Sequence, residues 1–201
     1  MYYLVIYDMI VLGYLQHIIH NNGLSGLFSF CCFSVVFSFF ICPSHGVTQD
    51  VLATICSQTQ NQEYCIGLLQ SDPRTSSADI PLLSLISIEL AIHQADENYH
   101  TFVQYKKKKN STRKGLSGSF GNCVTIYQDM RDKLQADHQL SQQRQFEKIT
   151  NLGGLTTLAY NCENGLPFSP PTASITEDML LTLQTAIYVN EYVQSTPESN
   201  V

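Results

Sequence analysis

Residues 85–102 read LISIELAIHQADENYHTF, and Leu85, Ile88, Ile92, Ala95, Tyr99 and Phe102 recur in it at 3-4-3-4-3 spacing. That period keeps one apolar stripe on one side of a long helix. Asp79 is a suitable N-cap and Pro81 is tolerated in the first turn, so the helix is expected from about Asp79 to Lys107. The same rhythm continues in both directions from it. Phe120, Cys123, Tyr127, Met130 and Leu134 predict a second long helix, and Phe146, Ile149, Leu152, Leu155, Ala159 and Cys162 a third. Gly153-Gly154 weakens the third and Asn164-Gly165 closes it. Ser174–Glu177 has the pattern of a capping box, followed by Leu180, Leu183 and Ile187 on a last helix that ends near Val193. No strand pattern, internal repeat or second domain is apparent, and four amphipathic helices with short to medium links predict an antiparallel four-helix bundle.

Ahead of the bundle, Val51–Leu69 predicts two short helices folded back on each other, with Cys56 and Cys65 facing across the fold. Seven cysteines occur in all. Cys31, Cys32 and Cys42 lie in or at the end of the uncharged stretch Leu24–Cys42, and Cys56, Cys65, Cys123 and Cys162 follow it. A small-residue pattern (Ser44, Gly46) allows cleavage before Val47. Residues 1–46 are therefore expected to be a secretory signal, about the first two dozen of them a wrongly assigned extension if translation starts further on. An uncleaved anchor is the alternative, because about 18 apolar residues can span a bilayer. Cleavage would leave four cysteines, an even number suited to an oxidising compartment. Four cysteines allow three pairings. Facing stripes on consecutive helices favour Cys56–Cys65 with Cys123–Cys162.

The remaining 155 residues suit one domain and carry a formal charge of −5, which argues against nucleic acid as a partner. Lys106–Lys109 reads as a solvated helix end. No nucleophile elbow, zinc-protease helix, P-loop or dinucleotide fingerprint is present. His93 and His100 share a helix face without enough neighbours for a metal, and His138 beside Asp137 reads as a frayed helix end. No metal, cofactor or catalytic residue is expected. Asn110-Ser111-Thr112 is a glycosylation acceptor if the chain is secreted.

Ile55-Cys56, Tyr64-Cys65, Leu69–Thr75 with its Asp72-Pro73-Arg74, Asn122-Cys123 and Cys162-Glu163-Asn164-Gly165 together resemble the plant invertase and pectin methylesterase inhibitor family. The resemblance covers about residues 50–193, and Ser169-Pro170 is similar to the branch that includes plane-tree pollen allergens. It implies a four-helix bundle behind an N-terminal helical hairpin, with two disulfides paired as above, over an inhibitor domain at residues 47–201. It also implies an apoplastic, non-catalytic protein that occludes the cleft of pectin methylesterase or invertase in a one-to-one complex. A non-inhibitory interaction protein on the same fold is the alternative. Invertase inhibitors place a Pro-Lys-Phe motif ahead of the third bundle helix. Here the matching stretch is Arg144-Gln145-Phe146, which makes Arg144 and Phe146 candidate target contacts and tips the expectation towards pectin methylesterase. Phe146 also fits the core stripe.

Overall fold

In a computed structural model, residues 46–109, 114–166 and 170–196 are described. Asn110, the cysteines at 31, 32 and 42 and residues 1–45 of the expected signal lie outside them. Among the described residues there are six α-helices and no strand. They are α1 (Gln49–Cys56), α2 (Gln62–Gln70), α3 (Ile80–Lys109), α4 (Lys114–Gln142), α5 (Leu152–Asn164) and α6 (Pro170–Ser195), with 3-10 turns at Pro73–Ser77 and Phe146–Lys148.

Helices α3 to α6 form the bundle, each packed on the next and α6 returning to α3. Side-chain pairs fix the antiparallel sense of α3 and α4. Ser84 meets Ser141 at one end (3.2 Å), and Phe102 stacks on Phe120 at the other, with ring centroids 6.3 Å apart. The second and third expected stripes face inward. Tyr127, Met130 and Leu134 are fully buried on α4, as are Ala159 and Cys162 on α5. The stripe on α3 is rotated from its expected centre. Its completely or nearly completely buried line is Ser84, Ile88, Ala91, Ala95, Asn98 and Phe102, while Leu85, Ile92 and Tyr99 lie on its flank. Helix α3 touches α4, α6 and α2, so its buried face is wide. Polar side chains enter that face where hydrogen bonds receive them. Asn98 donates to the Ile175 carbonyl (3.3 Å) and the Tyr127 hydroxyl (3.4 Å), and accepts from Gln94 (3.0 Å).

Asp79 caps α3 as expected, its Oδ1 accepting from the Leu82 N–H at 2.8 Å. Thr48 and Asn61 cap the two hairpin helices in the same way. The disulfides are Cys56–Cys65, closing the hairpin, and Cys123–Cys162, joining α4 to α5. The hairpin lies along α6. The Tyr64 hydroxyl is 2.9 Å from Thr182 Oγ1, and the Gln60 N–H donates to Gln184 Oε1 at 3.2 Å. The chain before it is tied to the bundle by Val47 N–H donating to the Ala78 carbonyl at 2.7 Å. Gly46 passes so close to the 3-10 turn that a Cβ there would lie 2.4 Å from the Ser76 carbonyl oxygen.

Two local expectations are corrected. The third helix starts at Leu152, and Phe146–Lys148 form a separate 3-10 turn. Two glycines just inside the helix start resist extension backwards, and the turn after α4 sends the chain in another direction. The Ser174–Glu177 pattern is not a helix start, because α6 begins at Pro170 and Thr176 is fully buried within it. Pro170 needs no intrahelical N–H at the first helical position. Asn164-Gly165 closes α5 as expected, with Gly165 as the C-cap in a right-handed conformation (φ −82°).

Candidate functional site

The connection between α4 and α5 brings together the two residues singled out as target contacts. Helix α4 ends in a Schellman turn. The Gln145 N–H reaches the Leu140 carbonyl (2.9 Å) and the Arg144 N–H reaches the Ser141 carbonyl (3.0 Å). The pivot is Arg144, at φ 56°, in the left-handed region where glycine is usual. Its guanidinium is half exposed and lies 3.8 Å from Asp79 Oδ2, beyond hydrogen-bonding distance. Both residues border a cleft of about 310 Å³ whose walls include Val47, Ile80, Tyr192 and Val193. Phe146 is only 3% exposed, and its carbonyl accepts from Gln194 Nε2 at 2.9 Å. In the free chain this ring belongs to the core, as its place on the stripe also allowed.

The Asp72-Pro73-Arg74 motif is a brace. Asp72 caps its own 3-10 turn by accepting from the Arg74 N–H (2.9 Å), and the Arg74 guanidinium grips Asp72 and Glu89. Glu89 Oε1 is 3.0 Å from His138 Nε2 on α4. The carboxyls of Asp72 and Glu89 are held below their usual range, Asp72 chiefly by its hydrogen bond with Arg74. For Glu89, partial burial acts upward and is outweighed by Arg74 and His138. His138, near the end of α4, is therefore a packed partner of Glu89, which corrects its reading as a frayed end. His93 and His100 are exposed and sit by Glu97 (3.8 Å) and Asp96 (3.5 Å). Among the described residues no group of three or more His, Cys, Asp or Glu is placed to hold a metal. None of the described helices is long and apolar enough to cross a membrane.

Two residues went unremarked in the sequence. Tyr160 on α5 is 48% exposed, the one large exposed hydrophobic side chain among the described residues. It shares an uncharged outer face with Gly153, Gly154, Thr157, Asn161 and Asn164, all exposed. Its position off the buried stripe was legible, but its exposure depends on how the neighbouring helices flank α5. Asp137 is fully buried, with no hydrogen-bond partner at either carboxylate oxygen. Burial pushes its carboxyl up to about 6, and the nearby Asn151 amide only partly offsets this. The signal for it was available, since the α4 stripe extended beyond Leu134 by the same spacing falls on Asp137 and Ser141.

What the described residues offer is surface. The Arg144 corner, the neutral α5 face and two covalent staples hold that surface in place. Comparison with known proteins gives it a lineage. A family model described as plant invertase/pectin methylesterase inhibitor matches residues 50–187. The pectinesterase inhibitor of Actinidia deliciosa is 30% identical over 92 residues, covering 46% of this chain and 49% of that protein. A protein of Platanus orientalis named "Putative invertase inhibitor" is 29% identical over 104 residues, covering 49% of this chain and 60% of its own. Pectinesterase inhibitor 2 of Arabidopsis thaliana is 28% identical over 76 residues, covering 38% and 43%. These alignments thus span about half the length of the curated relatives. Since the family model spans both disulfides, the Asp72–Arg74 brace and most of the bundle, the chain belongs to the plant invertase/pectin methylesterase inhibitor family.

Proposed function

We propose that this chain is a secreted, non-catalytic inhibitor that closes the substrate cleft of a pectin methylesterase in a one-to-one complex. The observation that carries the reading is the family match across residues 50–187. The form of the surface supports it. An exposed aromatic on an uncharged helix face and a half-exposed Arg are common anchors at protein interfaces. Pectin methylesterase is preferred over invertase because Phe146 is packed in the core and the residues before it are Arg144-Gln145. An exposed Phe entering an invertase cleft has no counterpart in that geometry. Invertase remains the second reading, supported by the name of the Platanus relative. Secretion to the cell wall, with residues 1–46 removed as a signal and Asn110 glycosylated, completes the proposal; the N-terminal sequence and the glycosidase sensitivity of the secreted product test it.

The central test titrates the purified, oxidised protein into a pectin methylesterase assay and an acid invertase assay. Stoichiometric loss of the first activity is expected; loss of the second alone reassigns the target, and no loss of either at micromolar protein refutes inhibition. Tyr160→Ala is expected to weaken inhibition by about tenfold or more, while stability changes by no more than about 0.5 kcal/mol because the ring is half exposed.

A further inference from the structure

Asp137 plays no part in that reading, yet it is the least accommodated group in the described bundle. It is completely buried, neither carboxylate oxygen has a partner at regular hydrogen-bond geometry, and the Asn151 amide is the one donor that acts on it. Other polar side chains are buried in the same half of the bundle: Ser84 meets Ser141 one turn further along α4, and Asn190 on α6 reaches the Ile149 carbonyl at 3.5 Å while its own Oδ1 is buried without a partner. No charged side chain neutralises it. On α3, Glu89 is engaged with Arg74 and His138, and Asp79 faces Arg144. On the 3-10 turn, Lys148 bonds to Gln145 and the carboxyl of Glu147 is exposed. The only charged group of α5 is Glu163, next to the disulfide at the far end, and Glu191 on α6 is exposed. Asn151, which opens α5, is the single polar side chain that acts on Asp137.

The weakest boundary around Asp137 is the connection that includes Asn151. It contains a left-handed non-glycine residue, a three-residue 3-10 turn, and a helix start without a side-chain cap, followed by Gly153-Gly154. We propose that Asp137 is the sensor of a pH-operated latch: protonated, it lets the α4–α5 connection close over the polar end of the bundle, and ionised, it opens that connection and frees Arg144 and Phe146. In opening, the carboxylic acid gives its proton to solvent and the carboxylate gains water as its hydrogen-bond donor, which the closed connection denies it. Burial places the change near neutrality instead of in the ordinary carboxylate range. The latch is a property of the free chain and does not depend on which enzyme is the target.

Amide hydrogen exchange of the full oxidised protein, at about pH 5 and about pH 7.5 and corrected for intrinsic rates, tests it. Protection of peptides within 138–154 is expected to fall by about tenfold or more at the higher pH, while peptides within 98–127 keep theirs. Asp137→Asn should abolish the pH difference. An equal response along the whole bundle, or an unchanged one in Asp137→Asn, overturns the latch. Should that variant not fold, the carboxyl carbon of Asp137 in the unmodified protein is titrated by NMR. A midpoint near 6 is expected, and one near the unperturbed 3.8 overturns the proposal.

Discussion

Asn98, near the middle of α3, and Asp137, near the end of α4, occupy comparable inward positions, and their surroundings differ in kind. Around Asn98, Phe102 stacks on Phe120 and Tyr127, the Cys123–Cys162 disulfide joins α4 to α5, and both the amide and the carbonyl of Asn98 are hydrogen-bonded. Tyr127 is buried deeply enough that its phenol is pushed up to about 12 and does not ionise in the physiological range. In the half that contains Asp137, Ser84, Ser141 and Asn190 are buried, no disulfide crosses, and the carboxylate has only the Asn151 amide, off regular hydrogen-bond geometry, to offset its burial. One bundle thus has an end held by dispersion and a covalent bond, insensitive to pH, and an end whose stability depends on a proton.

Substitutions can break this contrast, from the largest expected effect to the smallest. Phe102→Ala should cost about 3–5 kcal/mol in denaturant unfolding, because a fully buried ring stacked on two others leaves a cavity. The cost should be the same at every pH. Replacing Cys123 and Cys162 together by Ser should cost ~4 kcal/mol in the chain-entropy account, for a bridge between residues 39 apart in sequence. Thermal unfolding without and with reductant checks it, since reduction should no longer matter at that end.

At the other end the sign of the effect depends on pH. Unfolded, the Asp137 carboxyl loses its proton near 3.8; folded, it keeps it to about 6. Below the lower value both states are protonated and nothing is lost. Between the two values the unfolded chain releases a proton that the folded chain retains, so stability falls as pH rises. Above about 6 the full cost is present, of order ~3 kcal/mol. Asp137→Asn should therefore be more stable than the parent at pH 8 by up to that amount and should show no such gain near pH 4. Asp72 and Glu89 act in the opposite direction. Their lowered values make the Arg74 brace weaken only as pH falls below the ordinary carboxylate range, so the two effects occupy separate pH windows. The smallest change is Arg144→Gly. It should stabilise the chain by about 1 kcal/mol by relieving a left-handed non-glycine residue, and should weaken inhibition if the guanidinium meets the target.

Much of this was legible from spacing. The stripe of Phe120, Cys123, Tyr127, Met130 and Leu134 correctly placed Cys123 opposite the stripe carrying Cys162, and with it the disulfide. Apolar residues alone do not locate the centre of the α3 stripe, because Ser84 and Asn98 occupy the buried line through hydrogen bonds to other helices. Asp137 escaped for the same reason: a carboxylate on an apolar stripe reads as its end. Phe146 was assigned to the third helix because its burial suits the period, although a 3-10 turn buries it equally well. The capping-box pattern at Ser174 was overridden when packing buried Thr176 and extended α6 to Pro170.

What the sequence by itself determined is the helical bundle, its order, the hairpin, the disulfide pairing and the family, since these rest on periods and motifs that are local or nearly so. What only the tertiary structure decided is where polar groups end up: Arg74 in a brace with Glu89 and His138, Phe146 in the core, Tyr160 outside, and Asp137 inside without a regular hydrogen bond. A side chain's period names the face of the helix on which it stands. Which groups from other helices stand opposite that face, and whether they supply a hydrogen bond, a charge or neither, is set by packing across the bundle, and that fixes both the surface and the ionisation of its buried groups.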